Sequence, residues 1–468
     1  MRFVFRSLAA AVAGCLTAVL PGTASADDHR GGRHTSYEGS IDGARYRIEM
    51  PKRWNGTLVL YSHGYYVDGY VPDEVALAAH TATEDWLLRH GYALAASEYK
   101  DRGLGYAVED AMTDQVALLD RFSTKVGKPR RTISHGMSQG AVIAGQLAER
   151  HPRRFAGTAG MCSEVDTPGT WNTALDIQFV VKTLLAPGAD VDLVRPADPA
   201  TATAHTEALA AAVREARGSK EGRARLALAG AIANIPTWYS PFEPRPTEPT
   251  DRIIAQSLWV EFAYGYGLGP TGRLDLEARA GGNPSWNTGI DYRRQLAKSS
   301  LRDLVREAYA AAGLDLGADL ATLAGAKRIS ADPAAVAYTK RHGLVRGTAP
   351  TPTLTLHTTG DGGAVGDQVR WWADQVKRHG NAPFRQLHLA RGGHCSYSAA
   401  EEIVTLLTLD RFIATGRWGN LDPTRLNALV AKFGPEYQKV FDFGTGQTKP
   451  VTPAYTEYTP PVFLRPTR

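Results

Sequence analysis

The chain has 468 residues, of which 43% are hydrophobic and 22% charged, and its formal charge is +5. This composition excludes a disordered or fibrous chain and suffices for one large domain with an insertion, or for two domains. The small basic excess forms no long run, so nucleic-acid binding has no support in the sequence.

The opening segment reads as a targeting signal. Arg2 and Arg6 precede the apolar run Leu8 to Leu20, and Ala24-Ser25-Ala26 offers a small-residue cleavage site before Asp27-Asp28. That run is too short to span a bilayer and no later stretch is long enough, so no membrane span is expected. Residues 1–26 are expected to be a signal peptide, and the mature chain to be secreted. A second reading takes Val12-Ala13-Gly14-Cys15 as a lipoprotein box that anchors the chain through Cys15. Cleavage after Ala26 lowers the charge by two, to +3, because the removed segment holds two arginines and no acids. It leaves two cysteines, Cys162 and Cys395. An even pair in an oxidising compartment is most simply a disulfide; two buried free thiols are the alternative.

Residues 27–33 are polar and Gly-rich and read as a disordered lead-in. From Tyr46 to Met50 the pattern alternates, and after a turn at Pro51 to Gly56 the run Thr57 to Ser62 is apolar and β-rich. Helical periodicity covers Ala76 to Arg89. Tyr92 to Ser97 follows as a strand, Val108 to Phe122 as a helix, and Arg131 to His135 as a strand. Gln139 to Glu149 is a helix closed by Pro152, and Phe155 to Met161 a further strand. Strands alternating with helices of this length indicate parallel βαβ units.

The rhythm then stops. From Asp166 to Gly347 the chain is helical or irregular, with helices expected at Ala200–Arg217, Glu221–Ala233, Lys298–Ala312 and Ala334–His342. It resumes with Pro352–Thr358 (strand), Gln368–Arg378 (helix), Phe384–Leu389 (strand) and Ala399–Ile413 (helix). The expected architecture is α/β, a mainly parallel sheet flanked by helices, with a large, mostly helical cap inserted between core strands. The core occupies residues 27–165 and 348–420, the cap 166–347, and a C-terminal extension 421–468 is expected to pack over the core without strands. Thr170-Trp171-Asn172-Thr173-Ala174-Leu175-Asp176 is echoed by Ser285-Trp286-Asn287-Thr288-Gly289-Ile290-Asp291, with no physical account at this level.

The strongest chemical signal is Gly136-Met137-Ser138-Gln139-Gly140. Acyl transfer needs a serine hydroxyl held out of the surface beside backbone N–H groups that receive an oxyanion. A sharp strand-to-helix turn does this, and glycines two residues either side let strand and helix approach closely. The bare pattern is common, and a Gly-bounded helix N-cap serine is the bland reading; the strand ending at His135 and the helix starting at Gln139 favour the nucleophile. Asp361, in Leu356-His357-Thr358-Thr359-Gly360-Asp361-Gly362, follows the strand that restarts the sheet and is the candidate acid. Asp367 is the runner-up, with an N-cap role for the helix from Gln368 as its alternative. His394, in Arg391-Gly392-Gly393-His394-Cys395, follows the last strand and is the candidate base, with Asp361 holding its Nδ1–H. For the oxyanion, the N–H of Gln139 and one from the loop His63-Gly64-Tyr65-Tyr66 are expected; Tyr65 is the first choice and Tyr66 the second.

These features resemble the α/β-hydrolase superfamily over residues 40–165 and 348–415. Pro51-Lys52-Arg53-Trp54-Asn55-Gly56 before the first core strand, and a cysteine directly after the candidate histidine, are similar to the tannase and feruloyl esterase family of secreted esterases. In that family a second cysteine precedes the nucleophile and bridges to the one after the histidine; here Met137 stands in its place. Cys162, at the end of the strand after the elbow helix, can still reach Cys395, because both fall at the carboxyl edge of the sheet, and a Cys162–Cys395 disulfide that anchors the histidine loop is expected.

Trp171, Trp238, Tyr239, Trp259, Phe262, Tyr264, Tyr266 and Trp286 concentrate in or near the cap, where they line a pocket for an aryl or acyl group or simply form its core. Histidines are scattered without metal-ligand spacing, and no phosphate-cradling loop is present, so no cofactor and no metal are expected. Asn55-Gly56-Thr57 is an N-glycosylation sequon, a pattern common by chance. The expected function is cleavage of small-molecule or polymer-linked carboxylic esters through an acyl-enzyme. Its rivals are a peptidase or amidase of the same fold and a non-catalytic binding protein.

Overall fold

The computed structural model describes residues 34–67, 69, 71–380, 382–442 and 444–467. The expected signal peptide, Cys15 and the lead-in 27–33 lie outside the described residues. Strands β1 (His34–Ile41), β2 (Ala44–Pro51), β3 (Thr57–Ser62), β4 (Ala93–Tyr99), β5 (Arg131–Met137), β6 (Gly157–Met161), β7 (Thr353–Gly360), β8 (Phe384–Gly392) and β11 (Tyr455–Thr456) form one sheet; β9 (Lys439–Asp442) and β10 (Gln447–Pro450) form a separate hairpin. The sheet order is β1-β2-β4-β3-β5-β6-β7-β8-β11. Pairing is parallel from β4 through β8, and antiparallel at both ends of that run.

All residues of β3 and β4 are buried. A parallel strand covered by helices on both faces is apolar throughout rather than alternating. Leu58 and Leu60 face one core, with Val142, Ile143 and Leu147 of α3 (Gln139–Arg150) and Phe122 of α2 (Val108–Lys125). Val59 and Tyr61 face the other, with Leu87 of α1 (Thr81–Arg89) and Ile403 and Leu406 of α14 (Ala399–Thr415). Each fully buried Leu, Ile or Phe contributes about 1.5–3 kcal/mol. From β3 the chain passes to β4 on one side and then crosses back to β5 on the other. Strand order therefore reverses beside β3, and open α/β sheets form their crevices at the carboxyl ends of the strands at such a point. This is the α/β-hydrolase arrangement.

Between β6 and β7, which pair directly, the described chain makes nine α-helices: α4 (Thr167–Leu185), α5 (Pro199–Ala216), α6 (Lys220–Ala231), α7 (Pro249–Trp259), α8 (Pro270–Ala280), α9 (Tyr292–Lys298), α10 (Arg302–Ala312), α11 (Leu316–Gly325) and α12 (Pro333–His342). A π-helical stretch, Val260–Gly267, follows α7. After β7 come α13 (Asp367–Arg378), α14 and α15 (Pro423–Val430). The single helix expected over Lys298–Ala312 is broken at Ser299–Leu301, where Asn234 Oδ1 accepts from Ser299 Oγ and the Ser300 N–H, both at 3.0 Å.

The C-terminal extension corrects the expectation of a strandless tail. Its β9/β10 hairpin pairs from Asp442↔Gln447 to Lys439↔Pro450, and β11 extends the main sheet by pairing Tyr455 with Leu389 and Thr456 with His388. Proline and threonine hide a strand of two residues, which exists only because β8 offers an open edge.

Candidate active site

Ser138 sits between β5 and α3 with φ 55° and ψ −124°. That backbone is disfavoured for a residue with a Cβ, by about 1–3 kcal/mol, and persists only where its surroundings enforce it. They do so here. A Cβ on Gly136 would lie 2.0 Å from Gly140 O, and one on Gly140 would lie 2.0 Å from Ser62 O. Both flanking glycines are thus demanded by backbone packed against backbone. The Ser138 N–H donates to Met161 O at 2.9 Å, tying the turn to β6.

The structure brings together three residues that lie far apart along the chain. Ser138 Oγ is 2.9 Å from His394 Nε2, and His394 Nδ1 is 2.9 Å from both Asp361 Oδ1 and Oδ2. Each is almost fully buried. Asp361 Oδ1 also accepts from the Gly363 and Ala364 N–H groups, both at 2.9 Å, which fixes the carboxylate in its turn. Behind it, His357 Nε2 donates to Ala364 O at 2.7 Å, and burial lowers the affinity of that imidazole for a second proton. His394 lies in a loop clamped at both ends. Arg391 pairs bidentately with Glu401 (2.8 and 3.0 Å), Thr358 Oγ1 donates to Gly393 O at 2.7 Å, and Ser398 and Glu401 form a capping box that starts α14.

Asp367 takes neither role weighed for it. It is the first residue of α13, with Gly366 as the N-cap, and neither of its carboxylate oxygens makes a hydrogen bond among the described residues. Burial drives its pKa well above the ordinary carboxylate range. Asp367 lines a cavity of about 20 Å³ together with His357, His388 and Asp361.

Cys162 and Cys395 form a disulfide, joining the end of β6 to the residue after His394. Both have positive φ, 41° and 52°, and Cys395 Sγ lies 3.3 Å from His394 Nε2. Among the described residues, Cys162, His394 and Cys395 are the grouping with metal-ligand spacing, but their sulfurs are bonded to each other and offer no thiolate.

Gln139 opens α3, so its N–H has no acceptor within the helix. The loop carrying Tyr65 is pressed against this helix start through Ser62 and His63, the latter stacked between the rings of Tyr66 and Tyr99 at 3.9 and 4.1 Å. Tyr66 is bridged to Leu104 and Gly105. The cap packs onto the acid and histidine loops: a Cβ on Gly362 would meet Trp259 Cγ at 2.4 Å, and one on Gly392 would meet Ser240 O at 2.5 Å. Of the cap aromatics, Trp171, Trp259 and Tyr264 are buried in the core. Tyr239 packs against Trp259 with centroids 4.7 Å apart, and Trp259 Nε1 donates to Trp238 O at 3.0 Å.

Sequence reasoning missed Glu164, two residues beyond Cys162. Its N–H donates to Ser138 O at 3.3 Å, and its Oε1 accepts from Thr167 Oγ1 at 2.8 Å. Burial raises its pKa to about 7, against the hydrogen bond from Thr167. An acid just past a central strand, in Cys162-Ser163-Glu164, was the available signal.

Residues 41–361 match a family described as a tannase-like family of unknown function (DUF6351). An o-phthalyl amidase from Xanthobacter agilis is 28% identical over 416 residues, covering 83% of this chain and 89% of that protein. Among solved structures, Est1E from Butyrivibrio proteoclasticus aligns with a TM-score of 0.34 at 12% identity, over 81% of this chain and 98% of that one. A proline iminopeptidase-related protein from Thermus thermophilus aligns with a TM-score of 0.32 at 15% identity, over 85% and 99%. The acylaminoacyl peptidase of Pyrococcus horikoshii aligns with a TM-score of 0.34 at 10% identity over 78% of this chain, which spans 38% of that peptidase.

Proposed function

This chain belongs to the tannase-like family of unknown function, and we propose that it is a secreted serine hydrolase that cleaves carboxylic esters through an acyl-enzyme. The observation that carries this reading is the unbroken relay from Ser138 Oγ through His394 to Asp361, each link 2.9 Å long. In the proposed reaction Ser138 attacks the acyl carbon while His394 Nε2 takes its proton, and Asp361 holds the Nδ1–H and stabilises the imidazolium. The N–H groups of Gln139 and Tyr65 receive the oxyanion. His394 then protonates the leaving group, and water, deprotonated by the same imidazole, releases the acid. These steps call on no cofactor. Export is supported by the leader sequence and by a disulfide of the kind oxidising compartments sustain. No helix among the described residues is long and apolar enough to cross a membrane.

Amide cleavage is the second reading, favoured by the o-phthalyl amidase relative. The same relay serves it, since only the leaving atom changes. A panel of 4-nitrophenyl esters, feruloyl esters, phthalyl amides and aminoacyl anilides separates the two. Ser138→Ala and His394→Ala are each expected to lower turnover on every cleaved substrate by about 10⁴–10⁶-fold while the circular dichroism spectrum is kept. Wild-type rates in either variant, or no labelling of the native protein by a fluorophosphonate, refute the assignment; the latter outcome points to a binding protein.

A further inference from the structure

We infer that Glu164 forms a subsite beside the reacting centre that selects substrates by charge, accepting neutral or cationic groups and hydrogen-bond donors and turning away carboxylates. The inference rests on the hydrolase reading above and concerns what that site accepts. Strand β6 is sixth of nine in the sheet order, with β5 and β7 paired on either side of it. The carboxyl edge of such a strand borders the crevice of an open α/β sheet, and Glu164, three residues past the end of β6, is partly exposed between buried Ser163 and Val165. Its N–H is fastened to Ser138 O, and its carboxyl, held by Thr167, lies within electrostatic reach of the His394 imidazole.

The surroundings of Glu164 give the subsite its sign. Thr167 and Thr170 face it from α4, Asp166 from its own loop, Tyr106 from the lead into α2, Tyr264 from the π-helical stretch and His394 from the histidine loop. None of these is a permanent cation, and no lysine or arginine among the described residues forms an ion pair with Glu164. The neighbouring acids are committed elsewhere: Asp166 accepts from the Gly169 and Thr467 N–H groups and from Thr467 Oγ1, and Asp361 holds His394. An ionised Glu164 is therefore left to meet the substrate. With its pKa raised to about 7 by burial, it is neutral and able to donate on the acid side, and anionic and repelling above that point.

Three 4-nitrophenyl esters of one shape test this: benzoate, 3-(aminomethyl)benzoate and the isophthalate monoester, whose meta groups cannot attack the ester internally. At pH 8 the wild type is expected to show kcat/KM for the isophthalyl ester about tenfold or more below that for the aminomethyl ester, expressed mainly in KM. Between pH 6 and pH 8 the isophthalyl-to-benzoyl ratio should fall by about tenfold, following the protonated fraction of a group titrating near 7. In Glu164→Gln, which keeps an acceptor for Thr167, the charged pair should come within about threefold and the pH trend of the ratio should vanish. A wild-type preference for the isophthalyl ester at pH 8, or charge ratios unchanged in Glu164→Gln, overturns the inference while leaving the hydrolase reading intact. Benzoyl turnover that survives Ser138→Ala instead overturns the hydrolase reading, and this inference with it.

Discussion

At the scale of single residues, the acid of the relay gives the sharpest test. Asp361 holds the imidazole through both oxygens, whereas Asp367, six positions later, lines a small cavity and has its pKa pushed up by burial. Asp361→Asn should lower kcat by roughly 10⁴-fold, because the amide imposes the wrong tautomer on His394. Asp367→Asn swaps in a near isostere at a carboxyl that makes no hydrogen bond to His394 and should keep kcat within about fivefold. Parallel kinetics on any cleaved ester decide the matter, and equal losses would reverse the assignment. Ser138, Asp361 and His394 were legible because each sits in a short local signature at the end of a strand. For Glu164 the sequence offered only its place just past a central strand, because its environment is assembled from α4, the π-helical stretch and the histidine loop, which no local pattern joins.

At the scale of elements, the strands β3 to β7 could be read because the sheet buries nearly all their residues, and β8, with Arg385 and Ala390 exposed, from the restored alternation of strand and helix. The edge strand β1 could not: most of its residues are exposed, and it is a strand only through its pairing with β2. One polar cluster holds the helical layer to the sheet. Glu402 of α14 is fully buried and accepts from the Ala79 N–H (3.2 Å), His80 Nδ1 (3.0 Å), Thr83 Oγ1 (2.6 Å) and His135 Nε2 (2.8 Å). Burial alone would raise its pKa, but the bonds from His135 and His80 outweigh it and hold the carboxyl below its usual range. A carboxyl depressed in the folded state adds stability that is fully present above its unfolded value, about 4.3, and is lost as pH falls toward the folded one. Glu402→Ala, which strands these donors, should cost about 3–5 kcal/mol in urea unfolding at pH 7, and the difference from wild type should shrink on acidification. A midpoint unchanged at pH 7 would show the cluster to be dispensable.

At the scale of the whole molecule, the tail fastens together the two Trp-Asn-Thr segments that echo each other. They meet in space: the Trp286 N–H donates to Asn172 Oδ1 at 2.9 Å, and Arg273 spans Trp171 O (3.1 Å) and Ser285 Oγ (3.0 Å). Arg465 then reaches in from the end of the chain to Asp176 Oδ2 (3.1 Å) and Trp286 O (2.7 Å), locking one segment to the other. Removing one partner of so buried a pair is costly, so Arg465→Ala should destabilise the protein by about 3–5 kcal/mol, read as a lower urea midpoint. A loss below about 1 kcal/mol would mean that the tail merely rests on the cap.

The bond between Cys162 and Cys395 has a topological effect besides its local one. The two cysteines are 233 positions apart, and every helix of the cap lies between them, so the cap belongs to a closed covalent ring. A single tryptic cut at any point between them opens the ring without dividing the molecule. Such a nicked protein should run as one band without reductant and as two with it, and the cap should stay tethered to the segment that carries Ser138 after a lesion that would release a lid hung from one end.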